Sequence, residues 1–337
     1  MTVRLPIRQV LTEENKLKLR AAIVGCGVIG KLHTRIAQKY GEICAVCDTD
    51  PCALADIDPA LRYSDYEKML DGVRPDVVHI CTPHYLHADM VIAALERGIN
   101  VLCEKPLCIR REDIDRILDA EKRSGAVLGV CLQNRYNTAN IFTKDIAEKN
   151  KLKGAHGTVV WHRDDAYYAS GDWRGKWDTE GGGVLINQAL HTLDLLIWFC
   201  GEPKKITASV SKLTLGDSVE VEDSAVLICE GENSFVFNAT NGGATDFPVE
   251  MTLLTEKDYV KVMQKQVAVG SELHCFKDTY ETLGKACYGS GHEALIRDFY
   301  DCIVSGRKFA IDGAEGAKVV KVILAAYESN GKKVEII

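Results

Sequence analysis

Residues 20–30, RAAIVGCGVIG, place the tightest limit on what this chain can become. An apolar run short enough for one buried strand ends in three glycines, Gly25, Gly27 and Gly30, spaced G-x-G-x-x-G. A helix-periodic segment, Val28 to Tyr40, follows at once. Glycines at these places allow a turn too tight for a residue with a Cβ, and let helix and strand pack closely. The chain is committed to a strand–turn–helix unit, and the next question is how many such units follow.

Several do. EICAVCD reads as a second strand, and a helical segment around Asp65–Leu70 leads to DVVHIC (76–81). A helix from about His84 to Arg97, the strand NVLC, a helix from about Arg111 to Ser124 and the strand AVLGVC (126–131) complete the series. Continuously apolar strands alternating with amphipathic helices predict an α/β fold with a doubly wound parallel sheet. The pattern changes near residue 132. A helix (138–149), the Gly-rich TEGGG and a helix from Val184 to Phe199 come next. Closely spaced β runs from KKITASVSKL to DYVKVM then predict a mostly antiparallel sheet, before two final helices (291–305, 313–329). The expected division is an N-terminal extension (1–20), a first domain (21–132) and a second α/β domain (133–337).

Composition narrows the partners. The formal charge is −7 over 337 residues, with no basic run, which argues against nucleic acid. Charges scattered through residues 1–20 leave no room for a signal-peptide core, and Val184–Cys200 is too short and polar to span a bilayer. A cytoplasmic protein is the expectation. Thirteen cysteines, mostly single and within apolar runs, read as reduced thiols. The one CxxC, Cys44 to Cys47, lies in a predicted strand, where its two thiols face opposite sides.

The glycine loop carries chemistry. A helix N-terminus opening at Val28 and Ile29 offers free N–H groups and partial positive charge to a pyrophosphate. Asp48 ends the second strand, where it can accept hydrogen bonds from both ribose hydroxyls and would repel a 2′-phosphate. This favours NAD over NADP as cofactor. The carboxyl ends of the strands line the crevice of such a sheet. Thr82 and Pro83 of CTPHYLH should lie against the cofactor, with His87 opening the helix beside them. Glu104 and Lys105 of CEKPLC reach the same edge, and Lys105 should point to where a nicotinamide would lie.

A second stretch, GGGVLINQALHTLDLLIWFCG (181–201), is almost wholly apolar. Asn187, His191 and Asp194 interrupt it at i, i+4 and i+7, a spacing that puts all three on one helix face. Such a stripe must meet partners or a wet cavity, because an unpaired buried polar group costs about 1–3 kcal/mol. For Asp194 a structural network is an equal alternative. No metal is expected, since His191 has only Asn187 one turn away.

Together VGCGVIG, TPHYLH, CEKP and GGGVLINQALHTLDLL resemble the Gfo/Idh/MocA oxidoreductases, relatives of glucose–fructose oxidoreductase and inositol dehydrogenase. The resemblance covers nearly all of the chain after residue 20. It implies an N-terminal Rossmann domain and a C-terminal domain whose large open sheet builds the substrate pocket and often a homodimer or homotetramer interface. It also implies oxidation or reduction of a ring hydroxyl of a sugar, cyclitol or sugar nucleotide. By position, Lys105 and His191 match the catalytic lysine and histidine. Many members carry Asp where this chain has Asn187. The NQALH form resembles the branch that oxidises sugars at C3.

The expected reaction moves a proton from a secondary alcohol to His191 while hydride leaves the same carbon for NAD⁺. Lys105 stabilises the oxygen, or exchanges roles with His191, and Asn187 orients the substrate or the histidine. Arg163, Asp164, Tyr168, Trp173 and Arg174 form a plausible wall for a polar sugar or glycoside. Two alternatives stay open: a redox-assisted glycosidase that retains its cofactor, and a non-catalytic regulator responsive to NAD or sugar.

Overall fold

The computed structural model describes residues 18–280 and 289–337. Strands β1 (Arg20–Val24), β2 (Glu42–Cys47), β3 (Arg62–Tyr63), β4 (Val77–Ile80), β5 (Asn100–Cys103) and β6 (Leu128–Val130) form a six-stranded sheet in the order 3-2-1-4-5-6. All its pairings are parallel. Helices α1 (Val28–Tyr40), α2 (Tyr66–Val73), α3 (His87–Glu96) and α4 (Arg111–Ser124) are its connections. Burial on both faces explains the unbroken apolar runs: every residue of β4 and β6 is buried. The two-residue β3 was not foreseen, being too short to show a period.

The second half adds α5 (Thr138–Lys149), β7 (Leu152–Val160), the one-turn α6 (Asp165–Tyr168) and α7 (Leu190–Cys200). Seven strands follow: β8 (Lys205–Ser211), β9 (Ser224–Glu230), β10 (Phe235–Thr240), β11 (Glu250–Thr255), β12 (Tyr259–Met263), β13 (Gln266–Val269) and β14 (Glu272–Cys275). Helices α8 (Gly291–Ser305) and α9 (Gly313–Ser329) precede β15 (Lys333–Glu335). These strands make a nine-stranded sheet in the order 14-13-12-11-7-10-9-8-15. It is antiparallel except where β10 pairs with β7. β13, β14 and β15 are short strands at the sheet's margins that the sequence pattern did not show. α7 packs on β7, α5 and α9, which accounts for its nearly all-apolar surface. One predicted element is corrected. The segment expected as a single helix from Val184 is a π-helical turn, Val184–Gln188, followed by α7.

Among the described residues no helix is long and apolar enough to cross a membrane. The described cysteines, Cys44 and Cys47 included, are free thiols.

Candidate active site

A cleft of about 1320 Å³ runs from the carboxyl edge of the first sheet to the second half of the chain. At its first end lie Gly25, Gly27, Val28, Ile29 and Asp48, with Thr49 and Asp50, which the sequence reading did not single out. Each glycine has its own reason. Gly25 sits at φ +85°, and a Cβ there would lie 2.5 Å from the Cys81 carbonyl oxygen. A Cβ on Gly30 would collide with the Gly25 carbonyl, so this glycine serves helix-on-strand packing behind the cleft. A Cβ on Gly27 would meet no protein atom within 4 Å, so what it keeps clear is the cleft. α1 starts there without a side-chain cap or an acid in its first turn, leaving its N–H groups for an anion. The Asp48 carboxylate accepts from the Cys26 N–H (2.6 Å) and the Asp50 N–H (2.9 Å), which fixes its orientation. These residues fit a dinucleotide: glycine turn for pyrophosphate, Asp48 for ribose, Thr82 and Pro83 further along the cleft wall.

Lys105 follows β5 and reaches across to the π turn. Its Nζ donates to the Asn187 side-chain oxygen and to the Asn187 backbone carbonyl, both at 3.1 Å. The Asn187 amide nitrogen donates in turn to Glu180 Oε1 at 2.5 Å. Glu180 is fully buried, and its other oxygen accepts from the Gly175 N–H at 2.6 Å. Burial lowers the proton affinity of Lys105, while Glu104 and Glu180 work against that fall. Glu180 escaped the sequence reading, although an acid directly before three glycines and the polar stripe was a usable signal.

His191 lines the cleft from α7. Burial, then the Lys105 charge, pushes its pKa down to about 3, so the ring is neutral. Its Nε2 lies 3.2 Å from the Gln133 amide nitrogen, and its Nδ1 is buried with no hydrogen-bond partner among the described residues. The adjoining wall is a stack of alternating rings and guanidinium groups. Arg163 lies over Trp161 and Tyr167, and Arg174 over Tyr167 and Trp173. The Tyr167 hydroxyl accepts from Arg174 (2.7 Å) and Gln188 (3.1 Å).

Four expectations are corrected. Tyr168 is buried away from the cleft against Val219 and Val221 and meets the Asn241 amide; its neighbour Tyr167 takes the wall position. Asp164 is exposed and caps α6 by accepting from the Tyr167 N–H. His87 is buried and lies outside the cleft lining; its Nδ1 sits 2.6 Å from the Pro106 carbonyl and its Nε2 2.9 Å from the Thr82 carbonyl, and the neutral ring donates to one of the two. Asp194 does not share the cleft with Asn187 and His191. The π turn alters the spacing from Asn187 to α7, and within α7 Asp194 turns from the cleft to form a buried ion pair with Arg135 at 2.5 Å.

Glu104 turns away from Lys105 Nζ into a buried chain. His33 Nε2 donates to Glu104 Oε1 (3.0 Å), so His33 Nδ1 accepts from His79 Nδ1 (2.9 Å) and His79 Nε2 accepts from the Tyr300 hydroxyl (2.9 Å). His33, Glu104, Cys131 and His292 bring four donor atoms within 4.8 Å of one another, a set of the kind zinc takes. The hydrogen-bond chain already uses both nitrogens of His33.

Residues 19–132 match the model of the oxidoreductase family with an NAD-binding Rossmann fold, and residues 151–259 match the GFO/IDH/MocA C-terminal domain. A D-glucoside 3-dehydrogenase of Escherichia coli is 28% identical over 295 residues, 74% of this chain and 83% of its own. An inositol 2-dehydrogenase of Salmonella typhimurium is 32% identical over 198 residues, 56% of each chain. The solved WlbA dehydrogenase from Bordetella pertussis, in complex with NADH and UDP-GlcNAcA, has a TM-score of 0.82 at 27% identity, covering 95% of this chain and 99% of its own. Two family models matched in order along the chain, on a sheet with the 3-2-1-4-5-6 strand order, place this protein in the Gfo/Idh/MocA oxidoreductase family.

Proposed function

We propose that the protein oxidises a ring secondary alcohol of a sugar, glycoside or sugar nucleotide at C3, giving a keto-sugar. The observation that carries this reading is Lys105, Asn187 and His191 lining the same cleft as the glycine turn. The name of one relative, a D-glucoside 3-dehydrogenase, supports that carbon. Bound NAD⁺ supplies the hydride acceptor, and Asp48, with no arginine following it in DTDPCALA, supports NAD over NADP.

The protein's own groups handle the proton and the charge. Neutral His191 is in the form that can accept the hydroxyl proton. A half-turn of the Gln133 amide would let its oxygen accept from Nε2–H, leaving the Nδ1 lone pair for the substrate. Lys105, anchored by two hydrogen bonds, stabilises negative charge developing on the oxygen. Arg163, Tyr167, Trp173 and Arg174 offer rings and donors to the sugar. Exposed Val226, Ile228 and Val236 share one face of β9 and β10, an apolar patch that supports assembly as a homodimer or homotetramer.

Glycosides and UDP-sugars incubated with NAD⁺, with NADH followed by absorbance, should identify the substrate. Released aglycone without NADH would instead support redox-assisted cleavage. Lys105→Ala should lower kcat by about 10²- to 10³-fold with NAD⁺ binding intact. Near-native turnover by that variant would remove Lys105 from the chemistry.

A further inference from the structure

We infer that Glu180 is a positioning residue for this reaction: its carboxylate orients the Asn187 amide toward Lys105 and adds to the negative charge that Glu104 already places near that ammonium. The inference rests on the function proposed above and deepens it.

The polarity of the hydrogen bonds is the argument. Asn187 Oδ1 is committed to Lys105 Nζ, a group that can only donate when charged. The other end of the amide is therefore NH₂, and only an acceptor can face it. Glu180 Oε1 does so at 2.5 Å, while Oε2 accepts from the Gly175 N–H at 2.6 Å. Both carboxylate oxygens thus meet donors, as the ionised form requires. Arg174 Nη1 stands 3.9 Å from Oε1, and the backbone carbonyl of Glu180 accepts from His84 Nδ1 at 2.8 Å. Burial raises the proton affinity of the carboxyl, and the Gly175 N–H, the Asn187 amide, Arg174 and Lys105 oppose that rise. A carboxylate, an amide and an ammonium in line polarise one another. The arrangement explains how an asparagine, which carries no charge, can occupy a position beside the reactive lysine.

Glu180→Gln reverses the polarity at one point. The oxygen of the introduced amide is needed by the Gly175 N–H, so its NH₂ faces the Asn187 NH₂. Asn187 is then left with the more distant Tyr167 hydroxyl (3.3 Å) for its NH₂, or turns that NH₂ toward the Lys105 ammonium. Adding Asn187→Asp repairs the conflict, because the introduced carboxylate accepts both from the new amide and from Lys105.

The test compares wild type, E180Q, N187D and E180Q/N187D, each verified by NAD⁺ affinity and circular dichroism. Acylation of Lys105 by acetic anhydride, followed against pH by mass spectrometry, reads the proton affinity of the amine without any substrate. E180Q should move its midpoint down by about one pH unit, and the double variant should restore it. With methyl β-D-glucoside and NAD⁺, E180Q should lose about 10- to 100-fold in kcat, with KM changing less, and the double variant should regain most of it. If E180Q does not fold, the double variant against N187D measures the same loss of the Glu180 charge. An unmoved Lys105 midpoint in E180Q, or a double variant no better than E180Q on both readouts, overturns the inference. Absence of NADH formation by the wild type with every sugar and glycoside offered would instead overturn the function proposed above, and the acylation midpoints would still decide whether Glu180 acts on Lys105.

Discussion

Arg135 and Asp194 illustrate how little a side chain's type reveals about its task. Both are nearly sealed from solvent, with the guanidinium bonded to both Asp194 oxygens and, at 2.8 Å, to Glu315 on α9. The pair joins α7 to the segment after β6 and to α9, so its work is structural. A lone buried charge is costly because nothing replaces its lost hydration. Asp194→Asn should therefore destabilise the protein by about 3–5 kcal/mol in urea unfolding. Its kcat per folded molecule should stay close to wild type. A variant with unchanged stability but impaired turnover would return Asp194 to the active site.

At the scale of elements, the π turn Val184–Gln188 decides where the chemistry points. Glu222 holds its start, accepting from the Gly183 N–H (2.8 Å), the Leu185 N–H (3.0 Å) and the Tyr327 hydroxyl (3.0 Å). Gly182 is at φ +139°, and a Cβ there would lie 2.0 Å from the Tyr327 oxygen. Gly182→Ala combines backbone strain with overpacking and should cost about 2–5 kcal/mol. Because the turn carries Asn187, kcat should fall as well; a variant with wild-type melting temperature and kcat would show that the turn adapts. This element also marks where the sequence stopped being legible. Gly25, Gly27, Gly30, Asp48 and Lys105 announce themselves because their roles depend on neighbours within one strand–turn–helix unit. Asn187 and His191 were found, but the geometry joining them was not, since an extra residue in a helical turn leaves no local trace. Tyr167 and Tyr168 are adjacent on α6, and only tertiary packing determines which one faces the cleft. Glu180 and Gln133 depend on contacts between segments remote in sequence, which periodicity cannot encode.

On the scale of the whole molecule, histidines line the junction between the two sheets. His79 of β4 meets Tyr300 of α8; His84 meets the Glu180 carbonyl; His191 meets Gln133; His292 of α8 lies 3.9 Å from Glu104. Burial is the largest influence lowering the proton affinity of His79, His84, His87, His191 and His292, to about 4 for His292 and about 3 for His191, and the Lys105 charge adds to it at His84 and His191. The unfolded chain binds protons at these rings near pH 6.5, where the folded protein does not. Between that value and the lower folded values the unfolded state therefore holds more protons, and stability must fall as pH falls. Each ring contributes up to about 1.4 kcal/mol per pH unit in that window. Urea unfolding should show stability declining from about pH 7 to pH 5, with proton uptake on unfolding. Because the rings lie on segments from both halves of the chain, from β4 and α3 to α7 and α8, the loss should appear as one cooperative transition reported equally by NAD⁺ affinity and by circular dichroism. A flat profile across that range, without proton uptake, would mean that the rings are charged in the folded protein and that the junction is wetter than its packing shows.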